Sequence, residues 1–168
     1  MIRKILPFLI ILSLVSIIVI LFLSLASTKK MIVVQEGNLN QVPIEMEVGK
    51  FQDSDCGMTI NDLTDLSQVI TKSGKSWFFH DHGGLVKRLE DKEFKKSAAI
   101  WVMSRDTKKY IQARKAYYSL TDTTAMGNGF GAYENKKDLY VDFDTIRLRM
   151  LRGETLNNPS IKKQLLGN

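Results

Sequence analysis

The residues best suited to chemistry in this chain are a cysteine and a methionine two positions apart, Cys56 and Met58. A thiolate and a thioether are soft ligands, and soft ligands favour Cu(I) over hard cations. Gly57 between them permits a backbone turn that would bring both sulfurs towards one ion. Met126, in a glycine-rich loop, is the natural third ligand. The alternative is that Cys56 and Met58 pack in the core beside a turn, as these residue types often do.

The two histidines of the chain, His80 and His82, form a second candidate site on either side of Asp81. Two histidines separated by one residue on an extended segment point to the same face. This arrangement suits Cu(II), Ni(II) or Zn(II). They are interpreted either as solvated loop residues or as groups that bind metal directly or support its ligands.

Catalytic motifs are missing from the sequence. It has no nucleophile elbow, no zinc-protease helix motif and no phosphate-binding loop. The glycines at 127, 129 and 131 do not follow a strand and open a helix, so they are not a dinucleotide fingerprint. A thiolate–imidazolium pair of Cys56 with His80 or His82 is the enzymatic alternative. We predict a protein that is not an enzyme.

A long apolar run without any charged residue, Ile5–Ala26, begins the chain. At roughly 1.5 Å per residue it reaches about 33 Å, enough for a hydrocarbon core of about 30 Å. A secretory signal cleaved after Ala26 is the alternative, but the apolar part of a signal is shorter, about 7–15 residues. We predict that residues 1–26 are a transmembrane anchor in a bacterial inner membrane. The short N-terminal tail would lie inside and the domain in the periplasm.

The net charge of +6 is concentrated around this run. Arg3, Lys4, Lys29 and Lys30 flank it and no acidic residue accompanies them. The rest of the chain is therefore nearly neutral, which argues against nucleic acid as a partner. The flanking lysines suit anionic lipid headgroups.

The remaining chain is predicted to hold a polar tether, residues 27–42, and one domain, residues 43–168. Apolar alternation and β-prone runs predict strands at 44–48, 67–71, 98–103, 110–120 and 139–143. Helical patterns occupy 85–94 and 144–152, and short helices are expected at 133–137 and near the C-terminal end. This mixture predicts an α+β fold of antiparallel or mixed strands with short helices. Since the chain has one cysteine, no internal disulfide can form, and an exported lone thiol must be buried or bound.

Several short motifs, taken together in their order, resemble the NosL family, the accessory proteins of nitrous oxide reductase maturation. They are Asp55-Cys56-Gly57-Met58, Phe79-His80-Asp81-His82-Gly83, Ala116-Tyr117-Tyr118 and the segment from Ala125 to Tyr133. The resemblance covers about residues 46–145. It implies a small α+β fold and a copper chaperone that binds Cu(I).

The same resemblance implies roles for single residues. Cys56, Met58 and Met126 would be the Cu(I) ligands. Asp55 would contribute an oxygen or orient the site, and Asp81 corresponds to an acidic residue of the family's Asp-Asp-x-Gly segment. The chain departs from the family in two respects. Many members are lipoproteins, whereas this chain carries a transmembrane run, and Gly84 stands where some relatives have cysteine.

The sequence thus predicts a membrane-anchored, extracytoplasmic Cu(I) carrier. Its partners would be copper transport machinery and a client cuproenzyme such as nitrous oxide reductase. The alternative is a metal-free periplasmic docking module in which Cys56 and Met58 are structural.

Overall fold

The computed structural model describes residues 2–26 and 31–167, which belong to two compact units that divide at residue 30. The first is helix α1, Ile2–Ala26. Its stretch Pro7–Ser24, with a mean hydropathy of 2.9, is long and apolar enough to cross a membrane, a test that N-terminal signal sequences also pass. The Ser13 and Ser16 hydroxyls donate to carbonyls one turn earlier, so the helix itself satisfies them.

The second unit is built on a five-stranded antiparallel sheet with strand order β1-β3-β2-β4-β5. The strands are β1 Val34–Gln35, β2 Ser67–Ile70, β3 Ser76–Phe79, β4 Ala99–Met103 and β5 Tyr110–Gln112. A second, two-stranded sheet pairs β6 Tyr117–Tyr118 with β7 Ala132–Tyr133. The helices are α2 His82–Leu89, α3 Phe143–Leu151 and α4 Pro159–Leu166, with 3-10 turns at Glu93–Lys96 and Ala113–Lys115. The α+β prediction is confirmed.

The five-stranded sheet is covered on both faces. On one face, Val69 lies opposite Trp77 and Ile100, and this row packs with α2, α3 and the small sheet in the larger core. On the other face, Gln68 lies opposite Phe78 and Trp101. This face is covered by the segment before β2, through a smaller core of Met46, Phe51, Ile60, Leu66 and Phe78.

Several predicted elements take another form. Residues 44–48 are not a strand, because the side chain of Gln68 bonds both backbone groups of Ile44, at 2.9 and 2.7 Å, in place of a strand partner. The run 110–120 is broken by the 3-10 turn, whose Ala113 carbonyl accepts from the buried Tyr118 hydroxyl. Residues 133–137 form no helix, and 139–143 contribute only an isolated bridge at Val141 before α3 begins. The predicted strands at 67–71 and 98–103 and the helix at 144–152 are confirmed within a few residues.

The predicted tether also differs. Residues 27–30 lie outside the described part of the chain, but 31–42 are packed on the domain. Ile32 bridges Phe51, β1 pairs with β3, and the indole of Trp101 donates to the carbonyl of Gln41 at 2.9 Å. These backbone groups are used in the sheet and the second core, so the segment does not act as a free linker.

Candidate metal centre

The loop from Asp53 to Met58 is closed at its base. Gln52 bridges Thr59, and the Asp53 amide donates to the Met58 carbonyl at 2.8 Å. The Asp53 side chain then accepts from the backbone N–H groups of Asp55 and Cys56, at 2.7 and 3.0 Å. Such an aspartate-centred turn is a common way to fix a tight loop. The loop therefore presents Cys56 from a fixed backbone.

His80 follows β3 directly and meets this loop. Its Nδ1 lies 2.6 Å from the second carboxylate oxygen of Asp53, and its backbone N–H donates to the same oxygen at 2.9 Å. The Asp53 carboxylate is buried, whereas 11% of the His80 side chain is exposed. Asp53 thus ties the loop to the end of β3, with two hydrogen bonds inside the loop and two to His80.

Cys56 completes a cluster with these two residues. Its Sγ lies 4.0 Å from His80 Nδ1, and one ligand atom each from Asp53, Cys56 and His80 lies within 4.8 Å of the others. The Cys56 side chain is exposed. The arrangement matches a metal site with one thiol, one imidazole and one carboxylate, open to solvent on the side of the sulfur.

The electrostatics of the cluster follow from these contacts. Burial alone would raise the pKa of Asp53, but hydrogen bonds from His80, Cys56 and Asp55 outweigh it and lower the pKa to about 2. The hydrogen bond to Asp53 raises the pKa of His80, which favours an imidazolium paired with a carboxylate. Desolvation raises the pKa of Cys56, and the charge of Asp53 adds to the rise. Without metal, the cysteine is a thiol.

This geometry does not suit nucleophilic catalysis. In a catalytic triad the nucleophile and the orienting carboxylate contact different nitrogens of the histidine. Here both Asp53 and Cys56 approach Nδ1 of His80. An activated cysteine also needs a lowered pKa, whereas that of Cys56 is raised.

A cleft of about 210 Å³ opens beside the cluster. Its lining residues are Asp53, Asp55, Cys56, His80, Asp81, Gly84, Lys87, Met126, Asn128, Met150 and Asn157. Two thioethers, Met126 from the glycine-rich loop and Met150 from α3, therefore share one cleft with the thiol. Asp55, whose side chain is exposed, lies on the same cleft.

Met126 is held by its backbone on both sides. Its N–H donates to the Asp81 carboxylate at 3.1 Å, and its carbonyl accepts from the Asn157 side chain at 2.7 Å. The other oxygen of Asp81 accepts from Gly83 N–H and from the Asn128 amide, both at 2.8 Å. Asp81 thus joins the start of α2 to the Met126 loop, and its oxygens are engaged there.

Met58 lies on a neighbouring cleft. This second cleft is lined by Met58, Thr59, Asn61, Asp62, Thr64, Asp65, His80, Arg105, Thr123, Thr124 and Ala125. His80 is common to both clefts, and Gly57 between the sulfurs has a φ of +74°. Met58 is 46% exposed and Cys56 is exposed. The interpretation that both pack in the core is therefore wrong.

His82 is separated from His80. Asp81 caps α2, so the helix begins at His82 and turns its ring into the interior, where 1% remains exposed. Its Nδ1 lies 2.6 Å from the Ser67 hydroxyl, and Nε2 has no hydrogen-bond partner among the described residues. Burial lowers the pKa of His82, so the ring is neutral. The prediction that both histidines share one face is wrong.

Two residues of the centre were not predicted from the sequence. Asp53, two positions before the expected Asp55, is the carboxylate of the cluster. An aspartate opening a turn that contains Ser54 and Asp55 is the signal that would have found it. No local sequence pattern predicts that Met150 lines the cleft, because its place there depends on how α3 packs.

Comparison with known proteins gives one structural likeness to report. The chain is similar to the copper chaperone NosL from Shewanella denitrificans, at 21% sequence identity, over 64% of this chain and 87% of that one, with a TM-score of 0.48. The likeness is one of fold. No family model matches the chain, and no curated protein matches it significantly.

Proposed function

We propose that this chain is a membrane-anchored, extracytoplasmic Cu(I)-binding protein that carries copper to a cuproenzyme. The observation that supports this best is the exposed Cys56 thiol beside His80, on a cleft that Met126 also lines. One thiolate, one imidazole and one thioether form a soft donor set suited to Cu(I). Zinc prefers several thiolates or imidazoles and is rarely bound by thioethers.

Asp53 acts on the site through His80. Its four hydrogen bonds to N–H groups of the loop and of His80 occupy both oxygens. A carboxylate that bonds one nitrogen of a ligating histidine fixes the ring and raises its basicity. A copper ion can use Nε2 with this bond kept, or Nδ1 with the bond given up. Binding at Cys56 releases the thiol proton.

The thioether ligands are proposed to let the bound copper ion pass to another protein. Met126 provides the third ligand from a clamped backbone. Met58, on the neighbouring cleft that shares His80, is proposed as the ligand that reaches the ion during transfer. Asp55 lies at the exposed rim, where an incoming donor or acceptor would meet it. An incompletely surrounded ion can be attacked by a ligand of another protein, as a carrier requires.

The location and the client complete the proposal. Helix α1 is taken as a membrane span with the domain on the periplasmic side, where copper exporters release their ion. The motif resemblance supports a client of the nitrous oxide reductase type.

Competition for Cu(I) under anaerobic conditions tests the proposal. The full chain in mild detergent is titrated against a chromogenic Cu(I) chelator, beside Cys56→Ser. We expect the wild type to bind one equivalent of Cu(I). Mutation of a group that only supports a ligand typically lowers metal affinity about 10–100-fold. Loss of the Cys56 ligand itself should therefore lower the affinity at least about tenfold. Equal competition by the two proteins would contradict the proposal.

A further inference from the structure

A third cleft, lined by residues other than those of the metal centre, lies on the sheet face that α2 covers. Its volume is about 180 Å³. The floor consists of Val69, Phe79 and Leu89, which are buried. The wall is a stacked pair, Trp77 and Phe94, with ring centroids 5.2 Å apart and planes within 11° of each other. Trp77 and Phe94 are both half-buried.

The charged residues lining this cleft are Arg88 and Lys92, both cationic. A third cation, Lys75, places its Nζ 5.5 Å from the centroid of the Trp77 ring. Among the described residues, no acidic side chain lines the cleft. The exposed Asp91 and Glu93 lie on the chain nearby but outside its lining.

The edge of the sheet extends this surface. Val34 of β1 lies directly opposite Trp77, so their side chains are on the same face, and Val34 is 37% exposed. We call Val34, Lys75, Trp77, Arg88, Lys92 and Phe94 the Trp77 patch. It combines an amphipathic indole, two other apolar side chains and three cations.

The chain's connection to α1 bears on what covers this patch. Val34 follows the last residue of α1, Ala26, by eight positions. Eight residues extend at most about 29 Å. If α1 spans a membrane, the strand beside Trp77 therefore cannot move far from the surface of that bilayer.

We propose that the Trp77 patch rests on an anionic bilayer surface. The inference depends on the membrane anchoring in the proposed function and is independent of copper. Tryptophan favours the membrane–water interface because its ring is apolar and its N–H is polar. Lysine and arginine side chains near an anionic leaflet are attracted to its headgroups. The patch places both kinds of group on one face.

The two tryptophans of the chain allow a matched test. Trp77 and Trp101 lie on opposite faces of the sheet, because their partners in β2 are the adjacent residues Val69 and Gln68. Trp101→Phe leaves Trp77 as the reporter, and Trp77→Phe leaves Trp101. Each full chain is reconstituted into vesicles of equal parts phosphatidylethanolamine and phosphatidylglycerol, with acyl chains brominated near the headgroup. Fluorescence is compared with unbrominated vesicles.

We expect bromine to quench the Trp77 reporter severalfold more than the Trp101 reporter. The difference should shrink when salt rises from about 0.1 M to 1 M, since the Debye length falls from about 10 Å to 3 Å. The difference in quenching should also shrink when phosphatidylcholine replaces phosphatidylglycerol. It should shrink likewise in the double variant that carries Arg88→Gln and Lys92→Gln. Far-UV circular dichroism and urea denaturation report that each variant is folded.

The outcomes separate the two proposals. Equal quenching of both reporters in chains that float with the vesicles would overturn the membrane-facing patch and leave the anchor in place. Quenching of Trp77 that changes with neither salt concentration nor lipid charge would overturn the assignment to anionic lipid. Chains that fail to float would overturn the anchoring and, with it, this inference, whatever their copper affinity.

Discussion

Asp53 contributes to the fold and to the candidate site through the same carboxylate. Its oxygens accept from three backbone N–H groups and lie against the ring of His80. The loop that presents Cys56 therefore depends on one buried charge. Replacing Asp53 with Asn keeps the shape but removes the charge that pairs with His80.

The Asp53–His80 pair predicts a pH window for the stability of the metal-free protein. Because the pKa of Asp53 falls to about 2, its contribution is complete above its unfolded value of about 3.9 and is lost as pH falls through about 2. The pKa of His80 is raised, so its contribution is complete below about 6.5 and is lost as pH rises through the folded pKa. The pair stabilises most between about pH 4 and 6.5.

Urea denaturation of the metal-free chain in mild detergent measures this window. We expect Asp53→Asn to lower the free energy of unfolding on the order of 2 kcal/mol within it, and by less on either side. Asp142→Asn is the control, because Asp142 also accepts a backbone N–H at a helix start but pairs with no histidine. A loss in Asp53→Asn that is constant from pH 4 to 8 would contradict the pairing.

The methionines give a prediction on ligand roles. Met126 shares the cleft of Cys56, whereas Met58 lies on the neighbouring cleft. We expect Met126→Leu to weaken Cu(I) binding by about tenfold or more, and Met58→Leu to weaken it less, in competition with a chelator. Met46→Leu, in the smaller core, is the control for loss of a methionine alone. A larger effect of Met58 than of Met126 would reverse the proposed roles.

At this scale the sequence predicted residue types better than positions. Cys56, Met126 and His80 do line one cleft. His82 could not be placed, because its direction depends on Asp81 ending the extended segment and capping α2. Asp53 was missed in favour of Asp55, since only the folded turn shows which carboxylate faces inward.

Among the elements, α2 and the Met126 loop are coupled through a close contact at Gly83. A Cβ at Gly83 would lie 2.5 Å from Nδ2 and 2.7 Å from Cγ of Asn128. Asn128 cannot yield easily, because it is buried and its amide donates to Asp81. The start of α2 and the Met126 loop can therefore approach this closely only because Gly83 has no side chain.

Adjacent glycines of α2 provide the test of this coupling. We expect Gly83→Ala to lower the free energy of unfolding by about 1–3 kcal/mol through overpacking and to weaken Cu(I) binding by shifting Met126. Gly84→Ala meets no atom within 4 Å and should be neutral or stabilising by about 0.5–1 kcal/mol, as expected for Gly to Ala in a helix. Urea denaturation and chelator competition measure both effects. Equal behaviour of the two variants would show that the contact is unimportant.

Elements were predictable where local pattern and long-range pairing agree. β2 and β4 have β-prone or apolar composition and lie at the centre of the sheet, and α3 buries Phe143 and Ile146 against the larger core. The alternation at 44–48 predicted a strand, but the side chain of Gln68 bonds the backbone N–H and carbonyl of Ile44. Because Gln68 is 24 residues away, no pattern near Ile44 indicates this contact. The run 110–120 has strand composition, yet the turn bonded by Tyr118 divides it.

For the whole molecule, the proposed location depends on whether α1 is retained as a membrane span. If it is retained as a span, the full chain should partition into the detergent phase of a temperature-induced phase separation, and a chain lacking residues 1–30 should stay in the aqueous phase. The mass of the protein recovered from membranes measures whether the N-terminus is intact. Recovery of a shortened chain from the aqueous phase would instead identify α1 as a cleaved signal.

The bonds of residues 32 and 33 set the path that a mechanical load follows into the domain. Ile32 exchanges backbone hydrogen bonds with Lys50 and Gln52, at 3.0 and 2.9 Å, and the Val33 carbonyl accepts from Ser54 at 2.7 Å. Traction on residue 31 therefore acts on residues 50–54, which lead into the Cys56 loop, before it reaches the two-residue β1. If α1 is a membrane anchor, as proposed, we expect tension on the anchored chain to reach the base of the Cys56 loop before it reaches the larger core.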